Sequence, residues 1–121
     1  MRTSIVKNIN INAVEFTGIF QVGDSYFIRP RNLVLAVQRE IPVYYGNEGH
    51  FNFPIFTKPI PKPIIYENVK MNIINLKPII KVNNINIIGV TSSGIFQVGS
   101  SSYIDTENRT KHIRQLIENN T

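Results

Sequence analysis

The sequence predicts an all-β fold, a sandwich or small barrel built from two duplicated three-stranded meanders, with one short C-terminal α-helix. Three observations lead there. The hexapeptide GIFQVG stands at residues 18–23 and again at 94–99. The residues around it alternate polar and apolar letters, the period of a half-buried strand. The last seventeen residues, DTENRTKHIRQLIENNT, lose that alternation and space apolar residues as a helix does.

Extended outward without gaps, residues 6–28 lie over residues 82–104, and fourteen of the 23 positions are identical, each matched 76 residues later. A match of that length marks a duplicated supersecondary unit rather than shared composition. Within the first copy, Asn8-Ile9-Asn10-Ile11-Asn12 places isoleucines on one strand face and asparagines on the other. A turn is expected near Phe16-Thr17-Gly18, then a strand Ile19–Val22, then a tight two-residue turn at Gly23-Asp24. Glycine there suits a type II′ hairpin, because it takes positive φ without steric cost. A third strand, Tyr26-Phe27-Ile28, completes the meander. Three strands need a cover for their apolar face, and two copies in one domain spanning residues 1–121 would cover each other.

Between the copies, LVLAVQREIPVYY (33–45) reads as one long strand or two broken at Pro42, and GNEGH (46–50) as a loop. Prolines 59, 61 and 63 would all face one side of an extended chain, so PIFTKPIPKP (54–63) is expected as a blunted edge strand or a polyproline spacer. In the tail, Asp105 or Thr106 can cap a helix over about 106–119, with Ile113, Leu116 and Ile117 on the face that docks on the sheet.

The chain has 121 residues, enough for one domain with a real core. It holds no cysteine, which excludes disulfides, thiolate metal sites and cysteine nucleophiles. Its formal charge of +5 is spread along the chain rather than gathered in a footprint, which fits a solvated basic surface. No apolar run approaches a membrane span, and the N-terminal residues lack the apolar core of a signal peptide, so neither membrane insertion nor export is expected.

Chemistry-bearing residues are scattered. Asp24 sits in a turn and Glu40 beside Arg39 forms a strand-face pair, while Glu48 and His50 are two metal-type ligands without a partner set. No phosphate loop, nucleophile elbow or HExxH pattern occurs. The reading is therefore that the chain is no enzyme and has no catalytic, cofactor or metal residues. A structural or interaction protein is expected, with a basic β-barrel that stacks nucleic-acid bases on Tyr26, Phe27, Tyr44, Tyr45 and Tyr103 as the alternative. Adjacency in Tyr26-Phe27 and Tyr44-Tyr45 turns one ring of each pair inward, which makes core packing the simpler account and nucleic acid an unlikely partner.

The order GIFQVGDSYFI, AVQRE (36–40), YYGNEGHF (44–51) and FPIFTKPIPKP (53–63) resembles the spore germination protein GerPE family of endospore-forming bacteria. The resemblance runs over nearly the whole chain and is most specific in residues 18–63. It implies a non-enzymatic spore-coat protein, made in the mother-cell cytoplasm and deposited in the coat. There it would act with other GerP-type coat proteins, as a homo- or hetero-oligomer, to let germinants permeate the coat. The duplicated unit then nominates Phe20, Gln21, Phe96 and Gln97 as repeated partner contacts. The family-like segments nominate Gln38, Arg39, Asn47 and Glu48.

Overall fold

In the computed structural model, which describes residues 2–117, eight strands form in chain order. These are β1 (Thr3–Val14), β2 (Ile19–Val22), β3 (Ser25–Ile28), β4 (Arg31–Arg39), β5 (Ile79–Val90), β6 (Ile95–Val98), β7 (Ser101–Ile104) and β8 (Glu107–Gln115). A 3₁₀ turn at Pro54–Phe56 lies in the connection between β4 and β5. The fold is all-β, as expected.

The pairing is not that of a meander. Strands adjacent in sequence do not pair with each other. Instead β1 pairs with β5, β2 with β6, β3 with β7 and β4 with β8, and all four pairs are parallel. Every ladder joins residues 76 apart, from Thr3↔Ile79 to Arg39↔Gln115. The two copies are thus two stacked rungs, each a strand path that turns three corners, rather than two hairpin sheets packed face to face. Parallel pairing needs a long crossover, and residues 40–78 supply it.

The expected type II′ hairpins fail for a physical reason. Alternation of period two marks a strand but not its partner, and a positive-φ glycine turns a corner as well as it closes a hairpin. Gly23 (φ 124°) and Gly99 (φ 132°) occupy equivalent corners of the two rungs. The preceding corner likewise repeats: Phe16 and Thr17 are left-handed in one rung, Ser92 and Ser93 in the other. With the corners superposed, like residues stack. Phe20 and Phe96 lie with ring centroids 5.3 Å apart and planes 4° apart, and Phe27 stacks on Tyr103 at 5.0 Å. Asn8 donates to Asn84 at 3.0 Å, and Asn32 to Asn108 at 2.6 Å.

The C-terminal helix is also overturned. Residues 107–115 are β8, paired throughout with β4, and Glu107, Arg109, Lys111 and Ile113 are half-buried while the residues between them are exposed. The capping acid expected at Asp105 instead receives the guanidinium of Arg31, and long-range pairing overrides a weak local preference. Leu116 and Ile117 are exposed, and the end of the expected helix, 118–119, lies outside the described residues. Nor is 54–63 an edge strand: beyond the 3₁₀ turn, residues 57–63 carry no strand. The strand over 33–45 ends at Arg39, before Pro42.

The buried apolar set is small: Ile28 at the end of β3, Ile85, Val90 and Val98 in the second rung, and Phe56 in the connection. Two buried polar residues are satisfied in place. Asn32 bonds Asn108, and the Ser93 hydroxyl donates to the Glu107 carbonyl at 2.8 Å.

Candidate interaction surface

The eight residues nominated from the sequence fall in two places. Phe20, Gln21, Phe96 and Gln97 lie together on the β2–β6 ladder, where the parallel register sets each against its repeat-mate. Gln97 does more than line a face. Its Nε2 donates to the Gly23 carbonyl of the other rung at 3.0 Å, to Ser25 Oγ at 3.3 Å and to the Ser100 carbonyl at 3.2 Å. It therefore ties the second rung's corner to the first.

Arg39, Asn47 and Glu48 meet at the end of β4, around a depression also lined by His50 and Phe53. Arg39 Nη1 donates to Glu48 Oε1 at 2.7 Å and to the Val43 carbonyl at 2.7 Å, and its guanidinium lies over the Tyr44 and Tyr45 rings. Glu48 also accepts from the backbone N–H groups of Tyr45 and Gly46, at 2.7 and 2.8 Å. The Tyr45 N–H, other backbone donors and Arg39 hold the Glu48 carboxyl down to about 2 despite partial desolvation. Arg39 thus pairs with Glu48, not with neighbouring Glu40, which accepts from the Ile117 N–H. Gln38 points to a separate, exposed depression with Arg114 and Gln115.

A third cluster was not nominated. Asp105 accepts from Arg31 at 2.7 Å and Lys62 at 3.1 Å, with Arg29 at 3.6 Å, and Arg31 also lies 3.6 Å from Glu107. Arg31, then Lys62, lowers the Asp105 carboxyl, and Arg109 lowers Glu107. The signal was present in the sequence: Arg29 and Arg31 stand 76 residues before Asp105 and Glu107. It is a complementary pattern, which a search for identical letters passes over. Asp24, read as a turn residue, receives Arg2 at 2.8 Å and the Ser100 N–H at 2.7 Å, and its pKa is lowered, chiefly by Arg2.

Much apolar surface remains uncovered. In the connection, Ile64, Ile65, Tyr66, Val69, Met71 and Leu76 are all at least 73% exposed. The chain exposes 10126 Å² in all, whereas a compact monomer of 13.8 kDa would expose about 6,600 Å². Among the described residues no cluster of three or more His, Cys, Asp or Glu side chains is placed to hold a metal ion, and no helix is long and apolar enough to cross a membrane.

Comparison with known proteins agrees in one direction. The family described as "Spore germination protein GerPE" matches residues 3–121. The "Probable spore germination protein GerPE" of Bacillus cereus is 40% identical over 116 residues, covering 94% of this chain and 91% of that protein. No solved structure matches.

Proposed function

The chain belongs to the GerPE family of spore germination proteins, and on that premise we propose that it is a non-enzymatic structural and interaction protein of the spore coat. It is made in the mother cell, is deposited in the coat, and works with other GerP proteins so that small germinants pass the coat layers.

The observation that carries this reading is the uncovered surface. The excess over a compact monomer is about 3,500 Å² on this one chain, more than the roughly 1,000–2,500 Å² that each partner of a permanent complex buries. Its most exposed part, residues 64–76, is rich in isoleucine and suits burial against a partner rather than water. The polar clusters support the same reading. Each carboxylate in them is held ionised by an arginine and staples one segment to another, whereas a general base works best with a pKa near the operating pH.

The test is germination of spores that lack the chain. Germinant response is expected to slow, and chemical removal of the coat to restore it. A normal response, or a defect that persists without the coat, overturns the reading. At residue level, Phe20→Asp and Phe96→Asp are each expected to weaken capture of other GerP proteins from sporulating cells, in a manner insensitive to nuclease. Equal loss of fold in both would show the rings to be core, and capture abolished by nuclease would favour the nucleic-acid alternative.

A further inference from the structure

Stacking in register gives every group that reaches between the rungs a repeat-mate on an outer edge. Gln97 reaches from the second rung to the Gly23 carbonyl of the first. Its mate Gln21 makes no side-chain hydrogen bond among the described residues. A Cβ on Gly99 would overlap the Gly23 carbonyl, while the same space beside Gly23 is open. In both cases the missing neighbour is a second rung carrying residue 99 beyond the first.

The backbone points the same way. Glu40 N–H donates to the Gln115 carbonyl and Glu107 N–H to the Pro30 carbonyl, and the register is unbroken between them. Even-numbered residues of β4 therefore face β8, and odd-numbered ones, Leu33 and Leu35 among them, turn N–H and C=O to the outer edge. The Tyr44 hydroxyl meets two of these outer groups, accepting from Arg39 N–H and donating to the Val37 carbonyl. Among the described residues, no hydrogen bond reaches the outer groups of the first half of β4. By the same alternation Thr110 N–H faces outward from β8. Charge also matches: the first rung carries Arg29 and Arg31 at the positions where the second carries Asp105 and Glu107.

We propose that a second copy of this chain stacks head to tail on the first, β1, β2, β3 and the first half of β4 of one molecule continuing the ladder of β5 to β8 of the next. Like residues then stack again, Phe20 on Phe96 and Asn32 on Asn108, Gln21 meets the Gly99 carbonyl of the neighbour, and Asp105 lies between two sets of arginines. Such a contact does not close on itself and builds open-ended rods. The inference goes beyond the coat reading and concerns the purified chain alone, so either can fail without the other.

The test is sedimentation velocity of the full chain over a hundredfold range of concentration, with Leu33→Pro and Thr110→Pro. Each proline removes one outward N–H, on opposite edges, and spares the internal ladder. The wild type is expected to form species above 13.8 kDa that grow with concentration, each variant alone to stay monomeric, and their equal mixture to form a dimer through the one intact pair of edges. A monomeric wild type, a variant that associates like the wild type, or a mixture that stays monomeric overturns the proposal. Should circular dichroism show either proline variant unfolded, Gln21→Ala decides instead. It is expected to weaken association about fivefold at an unchanged melting temperature, and undiminished association contradicts the stack.

Discussion

The first three ladders and the fourth reach the same geometry by different chemistry. In β1, β2 and β3 over β5, β6 and β7, like mostly stacks on like, as Asn8 on Asn84, Phe20 on Phe96 and Ser25 on Ser101, except at the start of β1, where Thr3, Ser4 and Ile5 face Ile79, Ile80 and Lys81. In β4 over β8 only Asn32 and Asn108 are identical, and the rest pairs unlike residues, with Arg31 against Glu107 and Leu35 against Lys111. Identity gives each side chain a partner of its own shape, and a slip by one residue would set apolar against polar along the ladder. Complementarity fixes the register by charge and by a single amide pair, in which Asn32 is buried and Asn108 is exposed. The first mode should therefore be broken by sterics and the second by protonation.

The largest effect belongs to the first mode. Gly99→Ala meets both an unfavourable φ and the Gly23 carbonyl, and is expected to destabilise by more than about 3 kcal/mol. Gly23→Ala meets strain alone, about 1–3 kcal/mol. Chemical denaturation of the two variants measures the difference, and equal losses would mean that the rungs are not stacked at that corner.

Next comes Asn32→Leu. It removes the donor to the exposed Asn108 side-chain carbonyl and the acceptor of the Thr17 hydroxyl, for an expected loss of about 0.5–1.5 kcal/mol. Replacing both asparagines by leucine should recover part of that loss in the same assay.

Acid should then separate the modes. The folded pKa of Asp105 lies below its unfolded value, so its ion pairs stabilise above about pH 4, and that contribution is lost as pH falls through the folded pKa. The wild-type melting temperature should fall as pH drops below about 4, and Asp105→Asn should start lower at pH 7 and fall less. The smallest effect is expected from Glu48→Gln. Glu48 titrates at about 2 instead of 4.5, so the variant should flatten the profile between those values while loosening residues 44–48, visible as faster amide exchange at Tyr45 and Gly46.

These contrasts also show why the sequence was legible in parts. Strand content was plain because Asn8 to Asn12 alternate strictly and their repeat-mates do so from Asn84 to Ile87, and alternation reports local geometry. Partner choice was not, because GIFQVG followed by a turn reads equally well as a hairpin arm and as the side of a rung. The mate of β4 was hidden in the tail, where ENRTKHIRQ shares one letter in register with RNLVLAVQR and carries the opposite charge at its first position. Among the candidate contacts, Phe20, Gln21, Phe96 and Gln97 came together because the repeat itself joins them. Arg39 met Glu48 through a loop closure that no local pattern encodes.

The parallel register is the central claim, and oxidative cross-linking tests it directly, since the chain has no cysteine of its own. Ser25→Cys with Ser101→Cys replaces two hydroxyls 3.2 Å apart and should close an intrachain disulfide in dilute solution. Val22→Cys with Ser25→Cys, which span the Gly23-Asp24 corner, should remain reduced under the same conditions. Cross-linking of the corner pair in preference to the pair 76 residues apart would restore the hairpin and contradict the stacked rungs.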